Sequence, residues 1–140
     1  LTQIDIYLDA VSLNGTNNIL IQMLDTSAPV TSGYLTRSSR VFNAAATSSA
    51  SSTAGFIILA EAAANIVYGM VTLTKMPSGG GIYDDWVITG SLMQSTGSAN
   101  IIVGGRGVLT ASHLDGLQIT STAGDAFDGG GVVSVIGRYA

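Results

Sequence analysis

Alternation with a period of two is the feature that most restricts this chain. Ile4, Ile6 and Leu8 alternate with Asp5, Tyr7 and Asp9. A strand sends successive side chains to opposite faces, so this segment reads as a strand with one wet face. Short runs of strand character recur at residues 19–24, 33–42, 55–59, 66–74, 85–94, 101–103 with 107–110, 117–122 and 132–139. Turn chemistry separates them: Asn14-Gly15-Thr16-Asn17-Asn18, residues 25–31 around Pro29, the glycine loop 77–81, and residues 123–131. Small side chains at 43–54 predict a long surface loop, and residues 60–64 predict one helical turn. Gly104-Gly105 predicts a bulge or a close backbone contact. The expectation is one domain over residues 1–140: an all-β antiparallel sandwich or jelly roll of about eight to nine strands.

Composition then decides what this sandwich does with its surface. Charged residues make up 10% of the chain, against about 25% in an average soluble domain, and mean hydropathy is +0.45. The longest apolar stretch, residues 55–71, is broken by Glu61 and Asn65 and falls short of the roughly 20 apolar residues that a bilayer helix needs. A domain of this length hides only about two-thirds of its chain surface. The remaining apolar surface is therefore expected to be buried between subunits of a homo-oligomer.

Several function classes are disfavoured. The five cations, Arg37, Arg40, Lys75, Arg106 and Arg138, are scattered in a chain of net charge −4. Nucleic-acid binding relies on clustered cations that neutralise phosphates, and no basic patch can be drawn. Without cysteine, disulfide staples, thiolate catalysis and Cys-ligated zinc are excluded. The chain opens without Met directly on a strand pattern, as a piece of a longer polypeptide would.

Chemical motifs are sparse. His113 is the sole histidine, and its neighbours Ser112 and Asp115 lie along one loop, whereas a catalytic triad is assembled across a fold. Asp84 and Asp85 are adjacent in a strand, point to opposite faces, and cannot form an acid–base pair by themselves. Asp125 and Asp128 flank Phe127 in a Gly-rich turn. They lack the spacing of a calcium loop, and turn Asp residues bond nearby N–H groups. Gly104-Gly105-Arg106-Gly107 lacks the Lys and Ser/Thr of a phosphate loop. Trp86 and the tyrosines 7, 34, 68, 83 and 139 read as core or interface packing, with ligand anchoring as the alternative. No cofactor and no metal is expected.

The segments Val11-Ser-Leu-Asn-Gly-Thr-Asn-Asn-Ile-Leu-Ile-Gln22, Thr31-Ser-Gly-Tyr34, Gly69-Met-Val-Thr-Leu-Thr74, Trp86-Val-Ile-Thr-Gly90, Leu117-Gln-Ile-Thr120 and Gly124-Asp-Ala-Phe-Asp-Gly-Gly130 fit one pattern in order and cover most of the chain. It resembles a C-terminal domain of tailed-bacteriophage tail fibres and tail needles. The resemblance implies a trimeric knob, similar to jelly-roll or tumour-necrosis-factor-like trimers. Such a knob is made in the bacterial cytoplasm, carried at the distal tip of the virion's tail below a trimeric shaft, and contacts a host cell-surface component during attachment or genome delivery. It implies no enzyme. On a rigid sandwich, recognition belongs to loops, so Asn14, Thr16, Asn17, Asn18, Ser78, Tyr83, Asp84, Asp125 and Asp128 are the candidate receptor contacts. Arg106 and Arg138 are candidate trimer-interface or anion contacts, with pairing to an acid in the same chain as the alternative. A purely structural trimerisation cap and, further off, a glycan hydrolase are the rival readings.

Overall fold

The computed structural model describes residues 1–42, 46–77, 84–95, 99–110 and 114–139. Among them are eleven strands and no helix: β1 (Gln3–Val11), β2 (Ile19–Asp25), β3 (Ala28–Pro29), β4 (Tyr34–Phe42), β5 (Ala46–Ser52), β6 (Phe56–Ile58), β7 (Val67–Lys75), β8 (Asp84–Gln94), β9 (Ala99–Leu109), β10 (Leu114–Ser121) and β11 (Val132–Arg138). A seven-stranded sheet runs β11-β1-β7-β8-β9-β4-β5, and a smaller one runs β10-β2, with β3 and β6 both on the far side of β2. Every pairing is antiparallel.

The alternation in β1 does what it predicts. Ile4, Ile6 and Leu8 enter a single core shared by both sheets, where they meet Ile19, Ile21, Phe56, Ile58, Val71, Leu73, Ile88, Leu92 and Ile101. Tyr34 and Phe56 pack edge to face at 4.9 Å between centroids, and the buried Tyr34 hydroxyl accepts the Met23 N–H at 3.0 Å. That gives the one buried phenol among the described residues a partner, which an aromatic with a polar tip requires. Burial also pushes its pKa up.

The count of eleven exceeds the expected eight or nine for two local reasons. Most of the stretch read as a long loop is β5, seven small residues paired along β4. Ladder hydrogen bonds come from the backbone, so a strand without large side chains still forms once a neighbour is present. Residues 25–31 close as a two-residue hairpin in which Thr26 and Ser27 both take positive φ, 49° and 68°. This is the turn handedness that matches the twist of flanking strands.

The helical turn expected at 60–64 is absent. Glu61 sits at φ 67°, the Asn18 Oδ1 accepts the N–H groups of Ala60 and Glu61 at 2.8 and 3.1 Å, and the Asn65 N–H closes onto Ala62 O. β9 runs through Gly104-Gly105 with unbroken register on both sides. The glycines mark a close contact and not a bulge, because a Cβ on Gly105 would lie 2.6 Å from Thr36 Cα.

These registers give the sandwich two ends. Val11, Val67, Gln94, Ala99, Ser121 and Val132 stand at one, with the turns 12–18 and 122–131 beyond them. Gln3, Lys75, Asp84, Leu109, Asp25, Leu114 and Arg138 stand at the other, which also carries Leu1.

Candidate functional site

At the end away from Leu1, the turns 12–18 and 122–128 are laced together. Leu13 and Phe127 form an isolated bridge. Asn14 donates its N–H to Ala126 O at 2.9 Å, and its Oδ1 accepts the Ala126 N–H at 3.0 Å. Asp125 Oδ2 accepts the Asn17 N–H at 2.9 Å. The Ser12 hydroxyl donates to Asp128 Oδ2 at 2.6 Å, and Asn18 N–H donates to Thr122 Oγ1 at 3.2 Å. The carboxylate of Asp125 lies against Gly15 so closely that any Cβ there would press on it. The sequence motif Asn-Gly-Thr-Asn-Asn is therefore a turn built around a neighbouring loop, and a side chain at its glycine would have to displace the Asp125 carboxylate.

The predicted contact residues divide accordingly. Asn14, Thr16, Asn17, Asn18, Asp125 and Asp128 converge at this end. Asn14, Thr16 and Asp128 are exposed, while Asn17, Asn18 and Asp125 are half-buried, the last two with side-chain oxygens engaged in holding the loops. The two carboxylates serve N–H and O–H donors, so they act as turn residues. Phe127 was not singled out for contact, yet it stands exposed between them. Its signal was the placing of the one large apolar residue in a Gly/Asp turn. Asp84 stands at the opposite end of the molecule. Ser78 and Tyr83 lie outside the described residues, as does His113.

Beneath this end, a polar network joins the sheets. Glu61 accepts from the Ser48 hydroxyl at 2.8 Å and from Arg40 Nη2 at 2.9 Å. Arg40 Nη1 donates to Gln94 Oε1 at 2.9 Å, and Gln94 Nε2 donates to Ala60 O at 3.1 Å. Nothing in the sequence pairs Arg40 with Glu61, because they are brought together only when β5 and the 60–65 turn fold over β4.

At the other end, Asp84 bonds Lys75 Nζ at 2.7 Å across to β7, while Asp85 is held by Arg106 on β9, whose Nε and Nη2 donate at 2.8 and 2.5 Å. The adjacent carboxylates diverge as strand geometry demands. Arg138 Nε donates to Asp5 Oδ2 at 2.7 Å. Asp5 is buried although it is on the solvent face of the sheet, roofed by Gln3, Thr72 and Arg138. Hydrogen bonds from Gln3 first, then from Arg138 and Thr72, hold its carboxyl below the usual range, and the Arg106 guanidinium does the same for Asp85. Both Arg106 and Arg138 are thus paired with acids of the same chain.

A cavity of about 580 Å³ opens here between the two sheets. Leu1, Ile4, Met23, Trp86, Leu117 and Val135 give it an apolar lining, with Lys75, Asp84 and Asp115 also on its wall. Among the described residues, no three His, Asp or Glu side chains are grouped to hold a metal ion.

No protein-family model matches the chain, and no curated protein matches it. Among solved structures it is similar to a protein of unknown function from Bacteroides ovatus, at 9% identity and a TM-score of 0.26, covering 90% of this chain and 44% of that one.

Proposed function

We propose that this domain is a trimeric, non-enzymatic knob at the distal tip of a bacteriophage tail needle or fibre, touching a host cell-surface component during attachment or genome delivery. The observation that carries the reading is the polarity of the sandwich. Leu1 lies at one end, and the two interlaced turns that present Asn14, Thr16, Phe127 and Asp128 lie at the other. A shaft joined ahead of Leu1 would place those turns outermost, on a rigid base suited to repeated weak contacts that act together.

The test has two parts. Light scattering of the domain at several dilutions is expected to give three times 14.2 kDa, and a stable single-chain mass would overturn the trimer. Replacing Thr16 and Phe127 in virions that carry the domain is expected to reduce adsorption while leaving the trimer intact.

A second reading is supported by one feature of the same turns. Asn14, Asn17, Asn18, Asp125 and Asp128 all make hydrogen bonds within the chain, as they would in a cap that only locks the shaft in register. Unchanged adsorption of the Thr16 and Phe127 variants would favour the cap.

A further inference from the structure

Two sheet edges on one side of the sandwich are left without a second neighbour among the described residues. β11 pairs with β1 alone, and β10 pairs with β2 alone. An open edge presents a row of unpaired N–H and C=O groups, and folded proteins ordinarily blunt it. This chain does so elsewhere. The outer edge of β6 is satisfied by side chains of the facing sheet: Thr36 Oγ1 accepts the Ile57 N–H and donates to Gly55 O, and Ser38 Oγ accepts the Leu59 N–H. On β11 the opposite holds. Val132, Val133, Val135 and Ile136 are 57%, 38%, 48% and 47% exposed, so the strand shows apolar side chains on both faces as well as a free edge.

We infer that these two edges pair with each other between copies of this chain: β11 of one copy adds to β10 of the next, antiparallel, around an axis parallel to the strands. The number of copies, three, rests on the trimer reading above; the pairing does not.

Direction, facing and length all fit. β10 runs from the Leu1 end towards the 12–18 turn, and β11 runs the other way. Rotation about an axis along the strands preserves direction, so the two meet antiparallel with their ends level. Val133 and Val135 pair with Leu8 and Ile6, so they point inward. Leu117 and Ile119 pair with Met23 and Ile21 and also point inward.

A continuous sheet must align inward residues with inward residues. Val135 therefore opposes either Leu117 or Ile119, which leaves two registers. The strands are seven and eight residues long, and β10 is regular from Gly116 to Ser121, after an irregularity next to Leu114. The occupant of the β10 edge must be extended and apolar on its inward face, beside Leu117 and Ile119, and β11 of a second copy is such a segment. Each copy supplies one edge of each kind, so the ring closes with no β10 or β11 edge left over. The apolar cleft between β10 and β11 is then covered from both sides.

The absence of native cysteine allows a clean test. Thr120→Cys combined with Val132→Cys reports one register, and Thr120→Cys combined with Ser134→Cys reports the other. Within one chain these strands belong to sheets about 10 Å apart, too far for a disulfide. On oxidation, one of the two variants is expected to run as a covalent trimer that reduction returns to a single chain. A covalent dimer together with a dimer mass would uphold the edge pairing and overturn the trimer. Uncrosslinked chains from both variants, in protein that still weighs as a trimer, would overturn the pairing and leave the trimer standing. A single-chain mass for the unmodified domain would overturn both. As a check independent of register, Val135→Lys alters a side chain already exposed in the single chain. It is expected to keep the strand signal in circular dichroism while falling to single-chain mass, and retained assembly would overturn the inference.

Discussion

The two sides of the sandwich solve the same problem in opposite ways. On the side of β4, β5 and β6, hydrogen bonds run from sheet to sheet: Thr36 and Ser38 reach the backbone of β6, and Ser48 and Arg40 reach Glu61. The edge strand there, β5, is made of Ala, Ser and Thr alone. On the side of β1, β10 and β11, the principal polar group is Asp5, and its partners Gln3, Thr72 and Arg138 all lie in its own sheet. The edge strand there is Val-Val-Ser-Val-Ile-Gly-Arg. One side is tied sheet to sheet by polar groups within the chain, and its free edge, β5, carries only small side chains. The other is left apolar and open, which is how an interface between copies is built, with its apolar surface concentrated at the contact.

Charge placed on each edge gives the largest expected contrast. Val133→Lys on β11 is expected to abolish assembly, read as a drop to 14.2 kDa in light scattering, because a buried unpaired ammonium is not tolerated in an apolar contact. Ser49→Lys on β5 is exposed and is expected to leave the mass unchanged. Equal effects at both edges would remove the distinction between the two sides.

Neighbouring glycines on the tied side carry the next contrast. A Cβ on Gly105 would lie 2.6 Å from Thr36 Cα, whereas a Cβ on Gly104 would have nothing within 4 Å. Gly105→Ala must push apart β9 and β4 at the point where Thr36 ties the sheets together, and it is expected to lower unfolding free energy by about 1–3 kcal/mol. Gly104→Ala is expected to change it by less than about 0.5 kcal/mol. Chemical denaturation of the two variants measures the difference.

These glycines also show how far the sequence can be read. The pair announced that something unusual happens in β9, and a close backbone contact was one of the two expectations. Which glycine makes the contact depends on the register with β4, which no local pattern contains. Strands with large apolar side chains were legible: in β1, β7 and β8 one buried face imposes a period of two, and β2 is a short apolar run buried on both faces. β5 was not, because its ladder needs only a neighbouring backbone. The candidate contact residues were legible as turns, but their division between two ends was not. Whether Asp84 stands beside Asp125 or at the far end is a property of strand direction and pairing. Likewise, each predicted arginine had a partner that only β1–β11 or β8–β9 pairing could supply.

Acid gives a finer test of the open side. The carboxyl of Asp5 is held below its ordinary value of 3.8, first by Gln3 and then by Arg138 and Thr72. A group with a lowered folded pKa contributes stability above its unfolded value, and that contribution is lost as pH falls through the folded one. Thermal stability is therefore expected to decline below about pH 4. Asp85, lowered by Arg106, adds to the same decline from the neighbouring strands. Asp5→Asn is expected to be less stable than the parent at neutral pH and to show a shallower acid decline. An unaltered acid profile would mean that the Asp5 roof does not hold β11 to β1.

The smallest effect expected is a gain, at the β2–β3 turn. Thr26 and Ser27 both occupy positive φ, a region that side chains with a Cβ enter at a cost and that Asn-Gly enters readily. β-branched Thr is the less suited of the two. Among the described residues, the turn's polar contact to the open side is the Ser27 N–H donated to Asp115 Oδ1 at 3.3 Å, a backbone bond that replacement of the side chain leaves in place. Thr26→Asn with Ser27→Gly gives up the exposed bond from the Thr26 hydroxyl to Asp25 Oδ1 at 3.1 Å, but the strain it relieves at two positive-φ positions is the larger effect, and it is expected to raise unfolding free energy by about 0.5–1 kcal/mol. Because the turn is remote from the β11 edge, the mass in solution should not change. A gain in stability with unchanged mass would separate folding of the sandwich from its assembly. A change in mass would show that Asp115, and with it the end of β10, is positioned by this turn for the neighbouring copy.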